Sequence, residues 1–471
     1  MYKLKIYSRW KCSFFFYIIV VILVESISSC KKFITVSPPT TQLVTENVFL
    51  SISTATAAQV AIYAQMESNV TFSVPEFTGL SSDELMNLST DPDLSTLYAN
   101  SLMSTNALTY SIWTAAYQYI NEANANIDGV AGSLAAATPI KNQLIGEAKF
   151  VRAFWYFYLT NLFGDVPLVT TQNYKTNAKA VRSTQQAVYN QIITDLTDAE
   201  QELSANFLDN TDSTMTQERT RPTKWAATAL LARVYLFQGD LKDAEAEASM
   251  VINNPGFTIL HSLDSVFLKN SEEAIWQLQA IIPNYNTFEG GQFIPSSAPM
   301  MSVSPFLLNA FENGDQRRIR WIDSSQFGGV TYYYPYKYKI PQNVSGISEY
   351  SMVLRLAEQF LIRAEARAKQ GNDMSGALHD LNLIRVRAGL PNVSTTNKDS
   401  IINLIQHERQ VELFTEWGHR WFDIKRSGNV NIIMPPITSV KGGSWASFAQ
   451  WYPIPLNEIN NDPHLSQNDG Y

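Results

Sequence analysis

Cysteine is nearly absent from this 471-residue chain, which contains only Cys12 and Cys30. Because both lie in the first thirty residues, the rest of the sequence has no thiol pair from which to form a disulfide. A structural zinc site built from cysteine ligands is likewise excluded. A chain of this length buries enough apolar surface to fold without cross-links, so we expect core burial alone to hold it together.

Basic charge is also scarce. The formal net charge is -8 at pH 7, and no stripe of lysine and arginine offers the counterion-releasing surface that nucleic-acid binding requires. The sequence therefore argues against a nucleic-acid partner. After residue 24, no segment approaches the roughly eighteen uninterrupted apolar residues of a transmembrane helix.

Motifs of metal and nucleophile chemistry are missing as well. The five histidines form no pair four residues apart and no HExxH pattern, so zinc has no predicted ligand set. No GxSxG elbow or phosphate-binding glycine loop occurs. The run Asp91-Pro92-Asp93 lacks the rest of a calcium-binding loop, and we interpret it as a solvated turn. We predict no catalytic residue, no metal and no cofactor.

The first thirty residues carry a recognisable export signal. Four basic residues precede an apolar run from Phe14 to Val24, and small residues then lead to Cys30. The run is about half as long as a bilayer-spanning helix, a pattern typical of a lipoprotein signal peptide. We predict that residues 1–29 are removed and that Cys30 carries the lipid anchor. An uncleaved signal anchor and an ordinary secreted protein are the alternatives.

Two segments have the pattern of a helical hairpin. Residues 221–252 place apolar side chains at helical spacing on both sides of a turn at Gly239, and residues 354–391 repeat the arrangement around Gly371. Alanines on the facing sides allow close approach of the two helices. The spacing is similar to that of a tetratricopeptide repeat of about 34 residues.

A third hairpin is predicted from the helix that begins at Gly146 and a helix over residues 187–203, with a further helix over residues 114–130 before it. Such hairpins cannot bury their apolar faces alone. We therefore expect the hairpins to stack into a right-handed superhelical layer.

Two connecting segments differ in composition. Residues 209–223 are almost wholly polar and predict a solvated loop with little to bury. Residues 283–350 are rich in glycine, proline and serine but also carry many aromatic side chains. A disordered loop would not retain so many aromatics, so we interpret residues 283–350 as an ordered binding segment.

Five sequence blocks resemble one family, in order along the chain. They are the segment ending in FGDVPL (146–168), TKWAATALLARVYLFQGD (223–240), LRLAEQFLIRAEARAKQG with its RVRAGLP exit (354–391), IQHERQVELFTEWGHRWFDIKRSG (405–428) and WYPIPLNEINNDPHLSQNDGY (451–471). On these blocks the chain resembles the SusD/RagB outer-membrane lipoproteins of Bacteroidetes-type bacteria. The likeness covers essentially all of residues 30–471, which we expect to form a single SusD-like domain.

The resemblance implies both a fold and a function. The implied fold is mainly α, with tetratricopeptide-like hairpins stacked as a scaffold, a loop-rich ligand-binding part and a few short strands. Members of the family are not enzymes; they bind a nutrient, usually an oligosaccharide, and sit as a lid over a SusC-like TonB-dependent transporter. We expect a lipid-anchored outer-membrane protein that faces the cell exterior and delivers a glycan to such a transporter.

Loop aromatics and nearby polar groups are the candidate ligand contacts, because sugar C–H groups stack on rings while amides and carboxylates bind hydroxyl groups. The candidates are Asp83, Tyr98 and Asn100 in an early polar segment, and Tyr285, Phe288 and Trp321 in the aromatic segment. For each aromatic taken singly, packing is the alternative; for the set, we predict at least one ligand contact. Three tryptophans inside the family blocks are assigned to packing: Trp155, Trp225 and Trp421.

Glu408, Glu412 and Glu416 are spaced four residues apart and would share one helix face. Like charges in that arrangement need partners. We predict a structural ion network, not acid and base catalysis, with the arginines nearby in sequence: Arg409, Arg420 and Arg426.

Two other function classes stay open. A surface glycoside hydrolase would need two carboxyl groups roughly 5–10 Å apart across a cleft. A tetratricopeptide-like surface scaffold would instead bind a peptide or protein and have no small-molecule site. In that case, replacing an aromatic of residues 283–350 by alanine leaves nutrient uptake unchanged.

Overall fold

A computed structural model describes residues 48–69, 73–132 and 137–471. The predicted signal peptide and Cys30 lie outside these residues. Residues 49–471 form one compact unit. Within the described ranges, no helix is both long enough and apolar enough to cross a membrane.

Helices dominate the described part of the chain, where they number eighteen. Their bounds are α1 Ile52–Asn69, α2 Ser73–Ser81, α3 Pro92–Tyr98, α4 Ala107–Gly132, α5 Thr138–Phe163, α6 Tyr174–Asn177, α7 Gln185–Glu202, α8 Lys224–Gln238, α9 Leu241–Ile252, α10 Phe288–Phe293, α11 Pro305–Ala310, α12 Gln316–Arg320, α13 Leu356–Gln370, α14 Met374–Arg387, α15 Lys398–Glu412, α16 His419–Arg426, α17 Val430–Val440 and α18 Leu456–Asn461. The predicted mainly α class is confirmed.

Among the described residues, the strands are short and join in four antiparallel pairs: β1–β5, β2–β3, β4–β8 and β6–β7. Their bounds are β1 Leu85–Asn87, β2 Val166–Pro167, β3 Arg182–Ser183, β4 Ala274–Leu278, β5 Met301–Val303, β6 Ile322–Phe327, β7 Val330–Pro335 and β8 Ser351–Arg355. Because each pair is separate, the strands tie loops to the helical scaffold and do not form a layer of their own.

The two predicted helical hairpins are confirmed as α8–α9 and α13–α14. Gly239 and Gly371 end the first helix of each hairpin in the left-handed region, with φ of 78° and 79°. Glycine adopts this conformation without the Cβ penalty of other residues, and it lets the chain reverse direction at once. Asp240 and Asp373 then cap the second helices by accepting hydrogen bonds from backbone N–H groups.

The hairpins form one continuous stack. Helices α4, α5, α7, α8, α9, α13, α14 and α15 each pack against the next, which confirms the predicted pairing of α5 with α7. The aromatic helix α5 is buried without interruption from Phe150 to Phe163. Alanines such as Ala232, Ala244 and Ala366 pack together where α8, α9 and α13 meet, so small side chains set the close spacing of the scaffold.

The prediction that residues 209–223 have little to bury is wrong. Asp212 and Arg221 are both buried and form an ion pair. Arg221 also donates to Glu147 Oε1 of α5 over 2.6 Å, and Thr56 of α1 donates to Asp212. A buried charge is tolerated when it is paired and hydrogen-bonded, and this pairing fastens a polar loop to the scaffold.

The aromatic segment is ordered. It contains α10, α11 and α12 together with β5, β6 and β7, and it contributes to a second, smaller core that it shares with residues before and after it in the chain. The residues of that core include Trp321, Phe267, Leu307 and Phe414. Its predicted role in binding stays a prediction.

Candidate functional site

Two of the early candidates are held by the scaffold. Asp83 is buried, and its carboxylate accepts hydrogen bonds from Arg420 over 2.8 and 2.7 Å. Asn100, at φ 51°, donates to Ser81 O over 2.9 Å and accepts from Thr438 over 2.8 Å. These polar groups are already engaged by the protein and serve to connect the segment after α2 to α16 and α17.

Tyr98 lies beside a buried ammonium group. Lys441 Nζ is 5.0 Å from the centre of the Tyr98 ring and donates to Leu80 O over 2.6 Å and to Ser81 O over 3.1 Å. Burial lowers the pKa of Lys441 to about 7, although Asp83 acts in the opposite direction. Tyr98 is only half-buried, so it keeps ring surface, but it lies apart from the cavities described below.

Tyr285 and Phe288 form a half-buried aromatic pair at the start of α10. Their ring centres are 5.3 Å apart and the ring planes make an angle of 31°. Thr287 caps the helix by accepting from Gly290 N over 3.0 Å, which places Phe288 at the first helical position. A Cβ on Gly291 would lie 2.5 Å from the Tyr285 ring. The ring therefore rests directly on glycine backbone, a closeness that a larger residue would prevent.

Two cavities lie next to Tyr285, one lined by Tyr285 itself and the other by its neighbour Gly291. One of about 440 Å³ is lined by residues 279–285 and 344–347. The other, of about 220 Å³, is lined by residues 291–301 and Gln342. Tyr285 OH donates to Gln342 Oε1 over 2.7 Å, so a single hydrogen bond joins the linings of the two cavities. We call Tyr285, Phe288, Gln342 and these two cavities the loop site.

Trp321 is not part of the loop site. Its side chain has no exposed surface, and its Nε1 donates to Leu263 O over 3.0 Å. Its ring packs 5.5 Å from Phe267, and the Lys337 ammonium lies 4.9 Å from the ring centre. We therefore assign Trp321 to packing and to stabilisation of a buried cation. Trp155 and Trp421 are also fully buried.

The predicted glutamate network is present, but its partners differ from those expected. Glu412 accepts from Arg317 over 2.9 Å and from Arg355 over 2.6 Å, and Arg355 also bonds Glu416 over 2.7 Å. The α15 helix ends at Glu412, so Glu416 lies beyond the helix face. The arginines nearby in sequence pair elsewhere: Arg409 with Asp423, Arg420 with Asp83, and Arg426 with Glu365 and Asp423.

The electrostatics of Glu412 favours a structural role for this carboxylate. Burial by itself would raise the pKa of Glu412, but Arg387, Arg355 and Arg317 hold it well below its ordinary value. A carboxylate that is permanently ionised and fully paired is a poor proton donor. In the described part of the chain, no group of three or more histidine, cysteine or acidic side chains is placed to hold a metal ion.

A third cavity, of about 550 Å³, lies over α14 and is lined by residues that include His261, His379 and Val386. No aromatic platform of the kind formed by Tyr285 and Phe288 lines it. The loop site is therefore the better candidate for a ligand that stacks on rings. Sequence analysis identified Tyr285 and Phe288 but missed Gln342, whose only sequence signal is a polar pair after Pro341 in a loop.

Comparison with known proteins places this fold. Residues 271–471 match the family model described as "SusD family", and residues 32–236 match the one described as "Starch-binding associating with outer membrane". The "SusD-like protein P2" of Formosa agariphila is 28% identical over 386 residues, which cover 70% of this chain and 74% of that protein.

Solved structures agree with the sequence matches. A SusD superfamily protein from Bacteroides vulgatus superposes with a TM-score of 0.76 at 19% identity and covers 89% of this chain and 99% of its own. A "Laminarin binding SusD-like protein" superposes with a TM-score of 0.72 at 24% identity and with the same coverage. The matching family models, the relative and the shared fold lead to one conclusion: this chain belongs to the SusD/RagB family.

Proposed function

We propose that this protein binds an oligosaccharide at the loop site and delivers it, chemically unchanged, to a SusC-like TonB-dependent transporter. The observation that carries the proposal is the half-buried Tyr285–Phe288 pair, in which Tyr285 lines one cavity and hydrogen-bonds to Gln342 of the other. Ligand sites combine an apolar or aromatic surface with a few polar groups that set orientation. The aromatic pair supplies the apolar surface, and Gln342 supplies one of the orienting polar groups.

Family membership supports the same ligand class. One matching family is described as starch-binding, and one structural relative is described as laminarin-binding. Both descriptions concern glycans. The paired carboxylates of the glutamate network, together with Asp83 held by Arg420, favour a binding role over hydrolysis.

Attachment to the outer membrane is part of the proposal. The matching family is described as associating with the outer membrane, and Cys30 supplies a lipidation site at the end of the predicted signal peptide. Stable anchoring requires more than one acyl chain, because a single chain binds a membrane only marginally. We place the protein on the outward face, where the anchor keeps its concentration beside a transporter high.

Ligand binding is tested by affinity electrophoresis and calorimetry with a panel of polysaccharides. For a glycan that is retained, Tyr285→Ala and Phe288→Ala should each weaken binding about 10- to 100-fold, since a stacked ring contributes on the order of 1–3 kcal/mol. Tyr174→Ala is the matched control, because Tyr174 is an exposed tyrosine on α6 with 73% of its surface accessible. Equal binding by all three variants and the unmodified protein would refute the assignment.

Delivery is tested by a pull-down of C-terminally tagged protein from detergent-solubilised outer membranes. A large barrel protein at equal stoichiometry and an acylated Cys30 peptide, both identified by mass spectrometry, are expected. A Cys30→Ala variant should lose the lipid and leave the membrane fraction. Recovery of the unmodified protein alone and without lipid would overturn the transporter and anchor parts of the proposal.

A further inference from the structure

The loop site is surrounded by an uncharged stretch of sequence. Between Ala274 and Phe311 the sole charged side chain is Glu289, and residues 340–348 contain none. Every described residue that lines the two cavities comes from these stretches and is uncharged. This is unusual for a protein in which 17% of residues are charged.

Amide side chains take the place of charges in the two linings. Gln279 and Asn284 line the larger cavity, and Gln292 and Gln342 line the smaller one. Gln342 is half-buried, whereas the other three are exposed. Amides both donate and accept hydrogen bonds, so they match the hydroxyl groups of a sugar without providing a counter-charge for an anion.

Acidic groups lie directly behind the lining. Glu289 is buried on α10, one residue after Phe288, and accepts from Ser351. Glu349 is buried behind the 340–348 loop and accepts from Lys339 N over 2.7 Å and from Ile340 N over 3.2 Å. Burial raises the pKa of both carboxyl groups, that of Glu289 to about 7. When ionised, each adds negative potential beneath the site.

Lys339, the basic residue that directly precedes the 340–348 stretch in the chain, is engaged elsewhere. Lys339 Nζ donates to Tyr336 O over 2.6 Å and lies 3.5 Å from Asp264 Oδ1. Its ammonium group also lies 4.2 Å from the centre of the Tyr336 ring. Because Lys339 already has these partners, it is committed to the β7 side of the segment and not to the cavities.

We infer that the loop site selects a neutral glycan, one whose sugars carry no uronate, sulfate or phosphate groups. This inference rests on the proposed function and names the substrate class of the same site. Removing an anion from water without a counter-charge is costly, while hydroxyl groups exchange water for amide partners at little cost. Discrimination against acidic glycans therefore comes from the missing counter-charge and from the acids behind the lining.

The test uses matched polysaccharides that share one backbone: dextran with dextran sulfate, hydroxyethyl cellulose with carboxymethyl cellulose, and laminarin with sulfated laminarin. The assay is affinity electrophoresis of the full protein, and its panel also includes xylan, mannan, polygalacturonate and alginate. At least one neutral polymer should retain the protein. Its acidic counterpart should bind at least about 10-fold more weakly.

A charge-insertion variant sharpens the result. Gln292→Lys places a cation in the smaller cavity and should increase retention by the sulfated polymers at low salt, with the gain lost at high salt. Gln186→Lys, on the exposed surface of α7, makes the same charge change elsewhere and should not. Equal effects of the two variants would attribute the gain to net charge and count against the inference.

The outcomes separate the two proposals. Preferred or equal retention by acidic polymers overturns the inference and leaves glycan binding intact. Retention by no polymer of the panel overturns the proposed function itself. If neutral polymers retain the protein and Tyr285→Ala does not weaken that retention, the ligand binds at another surface and the inference about the loop site is refuted.

Discussion

Replacing Glu412 by glutamine should be strongly destabilising, because the change removes a charge shared by three arginines. The carboxylate is fully buried and accepts from Arg317 over 2.9 Å, from Arg355 over 2.6 Å and from Arg387. In the variant, all three guanidinium groups remain buried with one negative charge fewer. Removing one partner of a buried ion pair typically costs about 3–5 kcal/mol.

This cost converts into a measurable shift in melting temperature. At about 1 °C per kcal/mol for a chain of this length, Glu412→Gln should lower Tm by about 3–5 °C in calorimetry. The loss should be constant between about pH 5 and 8. The pKa of Glu412 lies well below that of the unfolded carboxyl, so its contribution is complete above the unfolded pKa and is lost only as pH falls through the folded one.

Asp198→Asn is the matched control. Asp198 forms a partly exposed pair with Lys149 at 2.9 Å, and Lys149 keeps Glu202 at 2.8 Å when Asp198 is neutralised. A pair of this kind contributes about 0–1 kcal/mol. If Glu412→Gln lowered Tm no more than Asp198→Asn does, the idea that this ion network stabilises the fold would be refuted.

Three further changes test other parts of the structure. Burial raises the pKa of Glu84 to about 8, so the folded protein keeps this carboxyl protonated and loses stability as pH rises from the unfolded pKa to the folded one. Glu84→Gln should therefore be nearly neutral at pH 4.5 and stabilising by a few kcal/mol at pH 8–9 in denaturant titrations. A flat difference across that range would contradict this. Gly239→Ala should cost about 1–2 kcal/mol, because φ is 78° in open space, whereas Gly132→Ala should cost almost nothing. Trp321→Phe leaves the Leu263 carbonyl without its donor and should cost about 1–3 kcal/mol while glycan affinity at 25 °C stays unchanged; a loss of affinity would return Trp321 to the ligand site.

Local signals made the helical scaffold predictable. A hairpin needs an apolar period, a turn glycine and a cap, and all of these lie within about thirty residues of one another. The turns at Gly239 and Gly371 were therefore found at the right positions. Tyr285 and Phe288 were found for a similar reason, since they are three residues apart in an aromatic segment.

The failures involve contacts between distant parts of the chain. Trp321 resembled a loop aromatic, but it is buried in a core with Phe267, which precedes it in the chain, and Phe414, which follows it. Residues 209–223 resembled a solvated loop, but Arg221 finds its acidic partner Glu147 on α5. Whether a polar or aromatic side chain is buried depends on what reaches it from elsewhere, and composition does not record that.

The glutamate series illustrates both what the sequence determines and what only the tertiary structure decides. The sequence by itself determined that three acids so close together require cationic partners, because like charges repel at that spacing. Only the tertiary structure decided which cations pair with these glutamates, because it brings Arg317, Arg355 and Lys337 to them from other segments.

The candidate binding site divides in the same way. The sequence by itself determined the family, the stacked hairpins and an aromatic-rich segment, because periodicity, turn residues and composition are local properties. Only the tertiary structure decided which aromatic side chains stay partly exposed and that a hydrogen bond from Tyr285 to Gln342 links the linings of two cavities. Cavities form where separate loops meet, and the packing that brings loops together depends on the whole fold.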